Sequence, residues 1–259
     1  MRTDWAALPA TITTRIADRV GGVFEVIPAS SGDHAEIAST LVGPDATVFV
    51  KAACASLGGG YQSLRFEVAA TQAVDGWPPA VLWQIESDGW LVVGTEHLDG
   101  PHPDLSPGSP DLEVLAACLK ELQESPAPDG TWYDPATRCG FTLAGMAGGA
   151  LVHSDLNPSN LIMTRRGLRI VDWAFATRAA AWVELALLVQ WLIGGGHTPR
   201  QADEWVGQFP SWTATDRDVV DSFAALAASK WSTRSLSSDE GWVHDLAAWN
   251  GKWAAYRNV

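Results

Sequence analysis

Leu151-Val-His-Ser-Asp-Leu-Asn-Pro-Ser-Asn-Leu-Ile-Met-Thr164, followed by Leu168-Arg-Ile-Val-Asp-Trp173, reads as strand, polar loop, strand, turn and strand. Both Val/Ile/Leu-rich runs are short, and Arg165-Arg166-Gly167 between them suits a hairpin. His153, Asp155, Asn160 and Asp172 stand at the strand ends of this unit. Two carboxylates and a carboxamide make a hard-oxygen set, the kind that holds Mg²⁺ beside phosphate oxygens. A further role is open to Asp155, which is to orient and deprotonate a hydroxyl that attacks phosphorus.

Working outward, the chain upstream supplies a charge where none is expected. Three strands are predicted, over Val23 to Ile27, His34 to Val42 and Ala46 to Ala52, and Lys51 lies inside the third. A buried ammonium without a partner is costly, so Lys51 needs one. Glu67 is the candidate, in a helix predicted over Tyr61 to Val74 after Gly58-Gly59-Gly60. Asp88-Gly89, between the apolar runs Val81 to Glu86 and Trp90 to Thr95, is a strong hairpin signal.

The segment His153-Ser-Asp-Leu-Asn-Pro-Ser-Asn160, with Val171-Asp-Trp173, resembles the catalytic and metal-binding loops of the kinase-like fold. The branch it resembles is that of the aminoglycoside phosphotransferases and choline kinases. Protein kinases carry Arg between the His and the Asp, and Phe-Gly after the metal Asp. Here Ser154 and Trp173-Ala174 hold those places.

The resemblance implies a bilobal α/β (α+β) fold. An N-terminal nucleotide-binding lobe, an antiparallel sheet with one helix, would span residues 1–99, with a hinge at 95–100. A mostly helical catalytic and acceptor-binding lobe would span 100–259. By the same resemblance Lys51 holds nucleotide phosphates and is positioned by Glu67. Ser31 and Gly32 fall in the phosphate-covering loop, although Gly32 is its only glycine. Thr95 lies at the back of the purine pocket, and the Glu96 carbonyl and Leu98 N–H meet the adenine edge. Asp155 is the base, Asn160 and Asp172 hold Mg²⁺, and His153 and Glu184 support the catalytic loop. ATP is the implied co-substrate, with GTP as the alternative.

Other features bear on the acceptor. The next helix follows Asp172 within about ten residues, which leaves no room for a long peptide-seating segment and favours a small hydroxyl-bearing molecule. Asp239, Glu240 and Asp245 sit where relatives recognise amino groups, so a cationic acceptor is one option. An antibiotic is the first reading of the acceptor. A metabolite such as choline, homoserine or a sugar is the second, and a silent nucleotide-binding pseudokinase the alternative to catalysis. Four lysines against thirteen arginines suggest a GC-rich bacterial genome, which is association and not physics.

The net charge of −13 argues against nucleic acid and anionic membranes as partners. Three well-separated cysteines and no secretory-type start are consistent with a reduced cytoplasmic protein, monomeric or a small homo-oligomer. Ala179 to Ile193 carries Glu184 and Gln190 and is read as a core helix, too short to span a bilayer. Helices are also predicted from Ser109-Pro110, over Phe141 to Ala147, and over Thr215 to Lys230 with a near capping box. A last helix is expected to bury a stripe of Trp242, Leu246, Trp249 and Trp253.

Overall fold

Alternating strand residues feed two separate cores, and this places Lys51. The computed structural model describes residues 4–22, 24–29 and 35–258. Its first elements are α1 (Ala10–Val20), β1 (Glu25–Pro28), β2 (Ile37–Val42), β3 (Thr47–Cys54), α2 (Gly60–Ala73), β4 (Val81–Ser87) and β5 (Trp90–Glu96). The five strands form one antiparallel sheet in the order β1-β2-β3-β5-β4. Val48, Val50 and Ala52 of β3 pack with Ile12, Ile16 and Val20 of α1. Ala53 packs instead with Leu64 and Val68 of α2. Because strand side chains alternate in direction, Lys51 shares the face of Ala53 and points toward α2. The sheet therefore carries a helix on each face. α2 is the helix of the one-helix arrangement the resemblance implies, and α1, as the helical spacing of Ile12, Ile16 and Val20 before Gly21 leads one to expect, closes the opposite face.

The β4–β5 hairpin turns at Asp88 (φ 52°) and Gly89 (φ 77°), both left-handed as a tight primed turn requires. A β-bulge between Val81 and Trp83 lets the Trp83 ring lie across Gly94, where an added Cβ would come within 2.2 Å of it.

The remaining elements are α3 (Asp111–Glu124), α4 (Pro135–Cys139), β6 (Ala150–Val152), β7 (Leu161–Thr164), β8 (Gly167–Ile170), β9 (Thr177–Ala179), α5 (Trp182–Gly194), α6 (Pro199–Val206), α7 (Pro210–Thr213), α8 (Arg217–Ser235) and α9 (Gly241–Arg257). β6 pairs with β9, and β7 with β8. The chain divides into two compact units: residues 1–100 with Arg169–Ala174, and 101–168 with 175–259. The return of Arg169–Ala174 to the first unit has a local cause. Arg169 Nε donates to the Trp77 carbonyl at 3.0 Å, its guanidinium lies 3.3 Å from Glu96, and the Ile170 N–H donates to the Trp77 carbonyl at 3.0 Å.

In the second unit, ten residues of α5 are buried, Glu184 and Gln190 among them. No described helix is long and apolar enough to cross a membrane. Three expectations fail here. Phe141 to Ala147 is not helical. The helix is α4, just before it, ended by Gly140 at φ 75°, and Gly145 (φ 88°) prevents a restart. The signal for α4 was an Asp-Pro start, with the Asp134 side chain accepting from the Thr137 N–H at 3.0 Å. The near capping box at Thr215 does not form either. Asp216 is the cap residue and makes no side-chain bond, and the Thr215 hydroxyl donates to the Ser211 carbonyl instead. On α9 the buried stripe is Val243, Leu246, Asn250, Trp253 and Ala254, while Trp242 is exposed. Of the expected stripe Leu246 and Trp253 are buried and Trp249 is half-buried, and the amide of Asn250, donating to Gln190 at 2.8 Å, adds a polar pair to the seam.

Candidate active site

In the first unit, β3 and α2 bring Lys51 and Glu67 together, and the returning segment adds Asp172. Lys51 Nζ lies 2.7 Å from Glu67 Oε1 and 3.1 Å from Asp172 Oδ1. Burial would lower the lysine's pKa, but the two carboxylates outweigh it and hold the ammonium charged, above its ordinary range. Glu67 is pushed up to about 7, first by burial and also by Asp172, against the pull of Lys51. Two carboxylates on one ammonium leave an excess of negative charge around it. Asp172 has a left-handed backbone, φ 63°, unusual for a residue with a Cβ.

Thr95 sits on β5 between Phe49 and Val81, its hydroxyl donating to the Phe49 carbonyl at 3.4 Å. The Glu96 N–H bonds the Ala80 carbonyl at 2.9 Å, and its carboxylate faces Arg169. Leu98 follows in the extended segment after β5 and is half-buried. Ser31 and Gly32 lie outside the described residues.

In the second unit the loop after β6 is organised by a buried carboxylate. Glu184, on the first turn of α5, accepts from the backbone N–H of His153 and from that of Ser154, the latter at 3.0 Å. Burial pushes its carboxyl up to about 7, although both amides and Arg138 pull it down. Ser154, like Asp172, is left-handed at φ 64°. The Asp155 N–H donates to Nδ1 of the buried His153 at 3.3 Å, so His153 meets the loop through backbone.

Asn160 ends a short 3₁₀ turn, Pro158–Asn160, capped by Asn157. Its amide nitrogen donates to the Asp155 carbonyl at 2.9 Å and to Asp155 Oδ2 at 3.1 Å. That use of the nitrogen leaves the carboxamide oxygen as the atom for a cation. Among the described residues no group of three His, Cys, Asp or Glu could hold a metal alone. The Asn160 oxygen in the second unit, and separately the Asp172 carboxylate in the first, are each hard-oxygen donors of the kind Mg²⁺ takes alongside phosphate and water.

Arg138 also reaches this loop, although nothing in the sequence marks it as a site residue. From α4, its Nε donates to the Ser154 hydroxyl at 3.0 Å and one Nη to the Ser154 carbonyl at 2.8 Å. That Nη lies 3.7 Å from Asp155 Oδ1, and the guanidinium sits 4.4 Å from the Phe175 ring centre. No pattern in the sequence announces it, since α4 lies in a stretch rich in Pro and Asp. Asp239 and Glu240 precede α9 and Asp245 lies within it; all three are exposed, and Glu240 accepts from the Trp242 indole.

A five-stranded antiparallel sheet and a helical second unit define a kinase-like fold, and the comparisons agree. Residues 143–218 match the model of the phosphotransferase enzyme family, APH. The chain is 30% identical over 151 residues to a thiamine kinase of Salmonella gallinarum, the match covering 47% of this chain and 53% of that protein. It thus spans about half the length of the curated relatives it matches. Among solved structures, choline kinase LicA from Streptococcus pneumoniae superposes with a TM-score of 0.59 at 14% identity, covering 96% of this chain and 99% of that one. Aminoglycoside phosphotransferase APH(4)-Ia, in a ternary complex with AMP-PNP and hygromycin B, gives 0.61 at 15% identity, covering 96% and 98%. At such identities these structures speak for the fold.

Proposed function

We propose that this chain is an ATP-dependent O-phosphotransferase acting on a hydroxyl of a small molecule. The observation that carries the reading is Lys51 held between Glu67 and Asp172 at 2.7 and 3.1 Å. A charged lysine in a strand, fixed by a helix carboxylate and adjoining a second carboxylate, is suited to nucleotide phosphates. The first unit would be the nucleotide-binding one, with Ser31, Gly32, Thr95, Glu96 and Leu98 around the nucleotide. The second unit would supply Asp155 and the acceptor side.

In this reading Asp155 aligns the acceptor hydroxyl and takes its proton as the oxygen bonds to the γ-phosphorus, and ADP leaves with the electrons of the broken P–O bond. Asn160 and Asp172 would hold Mg²⁺, which supplies charge neutralisation on the phosphates when bound. His153 and Glu184 keep the loop in its left-handed turn. This is positioning and electrostatics, which is most of what phosphoryl transfer requires.

For the acceptor, similarity to a thiamine kinase supports a metabolite alcohol, and the likeness to an aminoglycoside phosphotransferase supports an antibiotic. The buried cysteines, none in a disulfide, fit a reducing compartment such as the cytoplasm. The test is Mg²⁺/ATP turnover with and without a panel of hydroxylated compounds, with mass spectrometry to locate the added phosphate. ADP formation that no compound stimulates, with no phosphorylated product, would sink the proposal.

A further inference from the structure

Within the second unit of a chain whose net charge is −13, one cation, Arg138, stands beside Asp155, and two more, Lys230 and Arg234, lie on α8. Arg138 stands 3.7 Å from Asp155 and leads to the turn at Gly140. There Lys230 of α8 is a neighbour, and a Cβ on Gly140 would lie 3.9 Å from its ammonium, an ordinary contact. Lys230 Nζ sits 5.3 Å from the Trp231 ring centre, and Arg234 lies 5.3 Å from Trp231 and 4.9 Å from Trp242.

Most half-buried cations of the described residues answer a carboxylate: Lys51 has two, Arg169 has Glu96, and Arg257 has Asp203 and Asp221. Lys230 is half-buried, and among the described residues no carboxylate lies within 4 Å of it or of Arg234. The nearby carboxylate, Glu240, is turned to the Trp242 indole. Burial lowers the Lys230 pKa, and Arg138 and Arg234 lower it further, so the arrangement opposes its own charge. A cluster kept at that cost is suited to an anion that arrives from outside.

We propose that the acceptor carries a negatively charged group, a carboxylate or a phosphate or sulfate ester, bound by Lys230 and Arg234 with Arg138 at the Asp155 end. This rests on the phosphotransferase reading and narrows it: polycationic and quaternary-ammonium alcohols are disfavoured. Asp239, Glu240 and Asp245 are then a solvated face.

The experiment compares charge-matched alcohols in the Mg²⁺/ATP assay. Glucuronate is set against glucose and glycerate against glycerol, with choline, thiamine and hygromycin B as the cationic arm. The acids are expected to give at least tenfold higher kcat/KM than their neutral partners and the cations. The Lys230→Gln/Arg234→Gln double variant should erase that preference through KM, leaving the KM for ATP unchanged. If no alcohol in the panel reacts, titration with inorganic phosphate followed by tryptophan fluorescence reads the site directly. A saturable change is expected in the natural protein and none in the double variant. Equal or better use of the cationic arm, a preference for acids that survives the double variant, or no phosphate response would each overturn the inference. ATP binding measured on the same samples separates the two readings, because its absence would count against the phosphotransferase proposal itself.

Discussion

Glu67, half-buried, and Glu184, buried, are carboxyls pushed up to about 7, and the two units answer them differently. In the first unit Glu67 meets a full charge, the ammonium of Lys51, which also touches Asp172. In the second, Glu184 meets two peptide N–H groups, of His153 and Ser154. A charge partner can be shared with an arriving polyanion, whereas a pair of backbone amides can only fix a turn. The first arrangement is suited to ligand, the second to geometry. The difference predicts that variants in one unit fail in binding and variants in the other in turnover.

The largest effect tests that division directly. Asp155→Asn should cut turnover by about 10²- to 10⁴-fold, the range expected for a lost general base, with ATP affinity within a few-fold of the natural protein. Asp172→Asn should weaken Mg²⁺/ATP binding as well. Steady-state kinetics with equilibrium nucleotide binding tells them apart. An Asp155→Asn enzyme at full rate would remove Asp155 from the chemistry.

The next effect is on stability. Lys51→Met leaves Glu67 and Asp172 as like charges with no cation, and removal of one partner of a buried pair costs about 3–5 kcal/mol. Urea denaturation should show most of that loss at pH 8. The Lys51→Met/Glu67→Gln double variant should recover a large part, because one of the two stranded charges is gone. No recovery would mean the ion pair is not what holds α2 to β3.

How much of this was legible in the sequence follows the same division. Lys51 was readable because a charge inside Val48-Phe-Val-Lys-Ala52 breaks the apolar pattern of a strand. Its partner was named from the helix expected over Tyr61 to Val74 and from the family resemblance; in the fold Glu67 lies beside Leu64 and Val68, which pack under β3 and β5. The loop from His153 to Asn160 was readable because its polar residues are contiguous. Arg138 was not, because its contacts with Ser154 and Phe175 depend on the angle at which α4 meets the loop. The return of Arg169–Ala174 to the first unit was equally hidden, since Trp77 and Pro78 receive it through backbone carbonyls, which carry no sequence signal. On α9 the spacing found Leu246 and Trp253 but also named Trp242, which is exposed, because spacing fixes which residues share a face and not how far along the helix that face stays covered.

Glu184 gives a smaller, pH-dependent effect with a definite sign. Its folded pKa, about 7, stands above the ordinary 4.5, so the protonated form is favoured by folding. Its contribution is complete below 4.5 and is lost as pH rises through 7. Between pH 4.5 and 8 the natural protein should lose on the order of 3 kcal/mol relative to Glu184→Gln, the equivalent of the shift. Glu67 titrates in the same direction in both proteins, so the difference in slope isolates Glu184. Parallel stability curves would show that the two amides, and not burial, set its protonation.

The smallest effect asks whether the first unit's charge cluster depends on the sheet beneath it as the second unit's loop depends on α5. Gly94 lies two residues from Val92 on β5, in register with Val50 of β3, next to the Lys51–Val93 pair. A Cβ at position 94 would come within 2.2 Å of the Trp83 ring, so Gly94→Ala forces the indole or the strand to move. Overpacking of this kind costs about 1–3 kcal/mol. Because β5 flanks β3, the displacement should also raise the KM for ATP while leaving the pH slope from Glu184 untouched. Trp83→Leu in the same chain removes the obstructing ring atoms and should restore both stability and KM. If Gly94→Ala instead changed turnover at saturating ATP with no effect on KM, the sheet would not be setting the Lys51 geometry, and the separation of binding from turnover between the units would fail at its most local point.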